Sequence, residues 1–227
     1  MLRFARRRFG EGWLPNAMEA FFEDMAGESE DLQLFVPWAV HHWPTEGRPV
    51  REWFLEDAGV RLEGAERKWL EAQRTAVVSV WEVREVYEGE GLGVKDLLRG
   101  DECFVREVLG SMQLGARDAV LGRVVEYLGL SVFCGLHPVP LPSMWAAEVV
   151  RVARTGLKVR GRKPVPHEKL MDPEATLNLV HAWQDAELEW EEELEAAECA
   201  LTLAATFLRD GERAELIAVR SEPRLWE

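Results

Sequence analysis

The sequence lacks the features by which several large protein classes are recognised. No apolar run in its 227 residues approaches the roughly 18 needed to cross a bilayer, so no membrane helix is expected. Cysteine is scarce: Cys103, Cys134 and Cys199 lie far apart, forming neither a disulfide framework nor a zinc pattern. That usage suits a reducing cytoplasm, the expected location. The opening segment MLRFARRRFGEGW has charge but no apolar h-region or small-residue cleavage site, so it does not read as a secretory signal. Isoleucine occurs once (Ile217) and asparagine twice (Asn16, Asn178), while 22 of the 27 basic residues are arginine. A GC-rich genome accounts for that bias without arginine-specific chemistry. Two tyrosines stand against ten tryptophans. Tryptophan buries a large area and wants a partner for its N–H, so most are expected as core anchors and a few at an interface.

Catalytic motifs are also missing. No lysine follows spaced glycines as a phosphate-cradling loop requires, and no G-x-S-x-G elbow occurs. Gly89-Glu-Gly91-Leu-Gly93 sits between two expected strands and reads as a turn, and Ser111 reads as a polar loop residue. Cys134 and His137, three apart on one strand, should face opposite sides of the pleat, which works against a nucleophile–base pair. His167-Glu168 begins a zincin-like motif without the second histidine. His181 and Asp185 are one helical turn apart but have no sequence-local third or fourth ligand. His41 and His42 lie between Trp38 and Trp43, and neighbours point apart, so one should pack and the other be solvated. Like carboxylates on an exposed helix are no acid–base dyad, which needs environments that split the two pKa values. No catalytic residue, metal ligand or cofactor is therefore assigned.

What is present begins with charge. Forty-one acidic against 27 basic side chains give a net −14, which argues against a protein coated by nucleic acid. The distribution is uneven: −4 over residues 1–74, −4 over 75–142, +5 over 143–170 and −11 over 171–227. The basic stretch holds Arg151, Arg154, Lys158, Arg160, Arg162 and Lys163, directly before the acidic one. Internal pairing or two solvated faces is the simplest account.

Three regions are expected. Residues 1–74 read as helical: Met18, Phe21, Phe22 and Met25 form one stripe after Pro15 and before Gly27. Val50, Trp53 and Phe54 form a second between Pro49 and Gly59, and Leu62, Ala65, Trp69 and Ala72 a third. In LQLFVPWAVHHW, Pro37 breaks the ladder of a running helix, so a short helix is expected to start there. Residues 75–142 change period. AVVSVWEVREVYEG, GLGVKDLL, ECFVREV, Ala119–Tyr127 and Leu130–Leu136 read as five short strands with turns at Arg99-Gly100-Asp101 and Leu128-Gly129. A small five-stranded antiparallel SH3-like barrel follows, ended by Pro138, Pro140 and Pro142. The fold class is thus α+β. Residues 143–227 return to helix: Ser143 caps one carrying Trp145, Val149, Val152 and Ala153, an exposed linker fills 156–169, and Asp172-Pro173 opens another. Its stripe runs Leu179, Trp183, Ala186, Trp190, Leu194, Ala197, Leu201. Asp210-Gly211 reads as a turn and AELIAVRS as a terminal strand, and the whole could be one piece of a longer polypeptide.

LFVPWAVHHW, GRPVREWFLEDAG, ERKWLEAQR, SVWEVREVYEGEGLGVKDLLRGDECFVRE and RDAVLGRVV together resemble an uncharacterised bacterial family often found alongside the SEC-C motif, a small cysteine-rich zinc module. The resemblance covers residues about 32–142. It implies a helical lead-in and a small β-domain in a bacterial cytoplasmic protein, and brings no catalytic residues. The chain has no close cysteine cluster, so the zinc site of the motif does not carry over. The leading functional expectation is a non-enzymatic protein-interaction or adaptor module. The partner would be a protein or a further part of a longer chain. The alternatives are a nucleic-acid-associated module using residues 151–163 as phosphate contacts, and an enzyme whose site is assembled from distant residues.

Overall fold

A computed structural model describes residues 1–22, 32–57, 61–161 and 163–209, with side chains through Cys199. Two helices open the chain, α1 (Leu2–Phe9) and α2 (Trp13–Phe22). Pro15 is the third residue of α2 rather than its first, which the helix tolerates because first-turn N–H groups have no intrahelical acceptor. Phe21 is buried and Met18 exposed; Met25, Gly27 and Gly59 lie outside the described residues. α3 (Leu32–His41) runs straight through Pro37 instead of starting at it, and buries Leu34, Phe35, Trp38, Ala39, Val40 and His41. Packing of Phe21 against Phe35 and Trp38 outweighs the one hydrogen bond the proline removes.

A two-residue hairpin, β1 (Pro44–Thr45) and β2 (Arg48–Pro49), turns on Glu46 and Gly47, both at positive φ. It leads into α4 (Val50–Glu56). α5 (Gly64–Ala72) starts with a capping box between Glu63 and Glu66. It buries Leu70, while Ala65 of the expected stripe is exposed.

The centre is the expected barrel. Its strands are β3 (Val78–Tyr87), β4 (Gly91–Asp96), β5 (Glu102–Val105), then after the short helix α6 (Gly110–Gln113), β6 (Asp118–Tyr127) and β7 (Leu130–Leu136). The order β3-β4-β5-β7-β6 closes through β3–β6 pairing. Four of these pairings are antiparallel, but β5 and β7 run parallel, with Val105 opposite Ser131 and the Arg106 N–H donating to the Ser131 carbonyl at 2.9 Å. The purely antiparallel barrel is thereby corrected to a mixed one: β5 and β7 are separated by two chain reversals and so point the same way. Trp81, Val83, Leu92, Val94, Val105 and Val120 fill the interior, and the Trp81 N–H donates to the Gly122 carbonyl at 3.0 Å. Gly89 turns the β3–β4 connection, whereas Gly91 and Gly93 lie inside β4.

The prolines after β7 do not end pairing. β8 (Leu141–Pro142) adds to the start of β6, opposite Asp118 and Ala119, an edge position that asks no N–H of Pro142. α7 (Ser143–Gly156) follows with Pro142 in the cap position; Ser143 does not cap but donates its hydroxyl to the Arg117 carbonyl at 2.5 Å. The expected linker is anchored in its middle: Val165 is buried and donates its N–H to the Leu98 carbonyl at 2.9 Å. It ends in α8 (His167–Leu170). α9 (Pro173–Arg209) begins as expected, with Asp172 accepting the Glu174 N–H at 3.1 Å. The described residues fall into two compact units, one through Glu187 and one from Leu188. In the first, Leu179, Trp183 and Ala186 are buried; in the second, residues 191–199 are all exposed, Leu194 and Ala197 included. Asp210-Gly211 and AELIAVRS lie outside the described residues. Among the described residues no helix is long and apolar enough to cross a membrane.

Candidate functional site

The basic segment does not present a free row of cations. Arg151 is paired with Glu148 one turn before it (Nε–Oε2 2.7 Å). Arg154 turns its guanidinium back onto its own loop, donating to the carbonyls of Gly161 at 2.7 Å and Lys163 at 2.5 Å. Lys158, Arg160 and Lys163 are exposed, and Arg162 lies outside the described residues. Arg151 and Arg154 share a wide hollow with the apolar Leu97, Ala147, Val150 and Val159. Its two arginines are already partnered, so the hollow has little left for phosphate.

Two other places stand out. The first is the barrel end formed by the β3–β4 turn, the end of β5, α6 and the β6–β7 turn. Here Tyr87 and Phe104 project outward from the strands flanking β4, with ring centroids 5.5 Å apart and each 44% exposed. They meet over glycine: a Cβ on Gly91 would come within 2.7 Å of the Phe104 ring and 2.2 Å of the Val105 carbonyl oxygen. Ser111, expected in a loop, is buried in α6. Its hydroxyl accepts the Gly89 N–H at 3.0 Å and donates to the Val108 carbonyl at 2.7 Å, pinning α6 to the β3–β4 turn. Val108 and Leu109 just before this helix and Met112 within it are exposed, as are Leu128 and Leu130 at the β6–β7 turn.

The second is a cleft of about 430 Å³ where four separate stretches converge: the end of α3, the start of α4, the α5–β3 connection and α8. His41 and His42, of which one was expected in solvent, are both buried. The hairpin of β1 and β2 folds α4 back on α3, and this brings Arg51 to the histidines. Arg51 is only 3% exposed. Among the described residues its one ion pair, to the half-exposed Glu52, is long at 3.5 Å, and its Nη1 has no hydrogen-bond partner. His41, His42 and His167 each have an unpartnered Nδ1. His42 Nε2 lies 3.2 Å from the Ala76 carbonyl oxygen. Behind them sits Arg123 of β6, fully buried, donating from Nε to the Ala76 carbonyl at 3.1 Å and from its two terminal nitrogens to the side chain and carbonyl of Gln73. No carboxylate pairs with Arg123 among the described residues. Burial first, and the nearby Arg123 and Arg51 second, push His41 down to about 2. Burial and Arg123 likewise push His42 down to about 4. Both rings are therefore neutral at pH 7. Burial lowers Arg123 to about 10, still a cation. Among the described residues no three His, Cys, Asp or Glu side chains are placed to share a metal ion.

Cys134 accepts from Gln73 Nε2 at 3.4 Å, whereas His137 faces Trp183 and Glu187, its Nε2 3.7 Å from the latter. No protein-family model matches the chain, and neither a curated protein nor a solved structure does. The cleft went unread in the sequence because its parts are drawn from four stretches spread between His41 and Met171. The one local signal was two of five histidines standing side by side between tryptophans.

Proposed function

We propose that the chain is a non-enzymatic protein-interaction module of a bacterial cytoplasmic protein, and that the apolar barrel end is its docking face. The observation that carries this reading is the Tyr87–Phe104 pair exposed over Gly91, together with the exposed Val108 and Leu109 just before α6 and Met112 within it. Large apolar side chains gathered at one place, rather than scattered singly, mark surfaces that another protein covers. Aromatic anchors flanked by methionine fit the composition of interface cores. The likeness to the SEC-C-associated family is part of the same reading, because the quoted stretches coincide with α3, α4, α5 and the strands β3 to β6.

Capture from the native host tests it. Leu109→Asp together with Met112→Asp, both on exposed positions, should abolish retention of a protein that the unaltered chain holds, without changing its thermal midpoint. Equal retention by the double variant, or turnover by the unaltered chain in a substrate screen, reverses the reading.

A further inference from the structure

We propose that the cleft bounded by α3, α4, the α5–β3 connection and α8 binds a small organic carboxylate, seated on Arg51. None of its residues belongs to the apolar barrel end, so it is a second, independent site.

The argument starts from an unmet donor. A guanidinium carries five N–H donors, and leaving one unsatisfied in the interior costs more than a typical hydrogen bond contributes. Arg51 lines the cleft and is 3% exposed, yet its Nη1 has no acceptor. Three residues that line the same cleft, His41, His42 and His167, each bury an unpartnered Nδ1 as well. Native proteins leave only a few buried polar groups per hundred residues unpaired, so four about one hollow point to a ligand.

Charge gives the ligand its sign. Arg51 and, behind it, Arg123 are two buried cations; the first has one long contact to Glu52 and the second only neutral acceptors. Two buried guanidinium charges against one long carboxylate contact leave an excess of buried positive charge, which an entering anion would offset. The mouth limits how negative the anion can be. Glu52 and Glu168 stand there against Arg74. A phosphate monoester, close to dianionic at pH 7, meets both carboxylates, whereas a carboxylate carries one charge and matches the guanidinium fork. The neutral imidazoles add hydrogen bonds rather than charge. A cleft of about 430 Å³ also has room for an organic body beyond the carboxylate.

The five histidines supply the test. On the full chain at pH 7 and fixed ionic strength, long-range ¹H–¹⁵N imidazole spectra are followed while acetate, butyrate or inorganic phosphate is added. A carboxylate should shift His41, His42 and His167 saturably, leaving His137 and His181 in place, with a Kd of about 1 mM or tighter. Arg51→Met should weaken that binding about 10- to 100-fold. Should Arg51→Met not fold, Glu168→Gln at the exposed mouth serves instead, and should tighten carboxylate binding and let phosphate in. The proposal fails if no carboxylate saturates the three signals or if all five move together. It fails equally if phosphate binds where carboxylates do not, or if neither variant alters the affinity.

Discussion

His41 and His42 tie the folded state to pH. An unfolded histidine takes its proton near 6.5, whereas burial and Arg123 hold these two rings at about 2 and about 4. A base depressed in the folded state contributes stability that is complete above 6.5 and is lost as pH falls toward the folded value. For His42 the full contribution is roughly 3 kcal/mol, at 1.36 kcal/mol per pH unit of displacement. The unfolding free energy, measured by denaturant titration between pH 7 and 4.5, should therefore fall with acid at a slope approaching two protons. His42→Gln should remove about one proton from that slope. A flat profile over this range, or an unchanged slope in the variant, contradicts the burial of both rings. Adjacency alone could not reveal that burial. Neighbours do point apart, but His41 closes a helix while His42 reaches the Ala76 carbonyl, so each ring meets a different wall of the same interior.

At the scale of elements, α3 and β7 are fitted to each other by a proline and a glycine. Pro37 has no N–H, so the Gln33 carbonyl loses its ordinary donor four residues on. Gly135 of β7, at φ +107°, closes on that carbonyl: a Cβ there would lie 2.8 Å from the Gln33 oxygen and 3.4 Å from the Pro37 ring. Gly135→Ala thus adds a backbone clash to a left-handed conformation that alanine rarely adopts. Thermal unfolding followed by circular dichroism should show a loss of about 2–4 kcal/mol, well above the usual surface substitution. A loss below about 0.5 kcal/mol would mean that α3 and β7 are not held this way. The interlock also marks where pattern reading ends. Period-two alternation, valine content and the turns at Gly100 and Gly129 sufficed to place all five strands. The parallel β5–β7 pairing depends on which edges meet, which residue type does not record. Pro37 misled because a local rule about helix ladders ignored the aromatic packing that sustains α3.

Over the whole molecule, the uneven charge was legible from composition, but its consequence was not. The segment 143–170 carries +5 in a chain of −14, and as a list of residues it resembles a phosphate-binding stretch. In the fold, Arg151 is paired with Glu148 and the Arg154 guanidinium, still charged, is tied to two loop carbonyls, so the exposed, unpaired cations of this segment among the described residues are Lys158, Arg160 and Lys163. Three such cations among the described residues of the segment, on a strongly acidic protein, give a shallow salt dependence at most, since each phosphate contact contributes only about −0.9 to the slope of log K against log salt for duplex DNA. Long-range repulsion from the 41 carboxylates opposes even these. Fluorescence anisotropy with a labelled duplex should therefore show no binding at 150 mM salt. At low salt, any residual binding should have a slope of about −3 or shallower, and Arg160→Glu with Lys163→Glu should abolish it. A steeper slope, or specific binding that survives both reversals at physiological salt, would show that cations from elsewhere in the chain form a nucleic-acid surface. The protein-interaction reading would then give way to it.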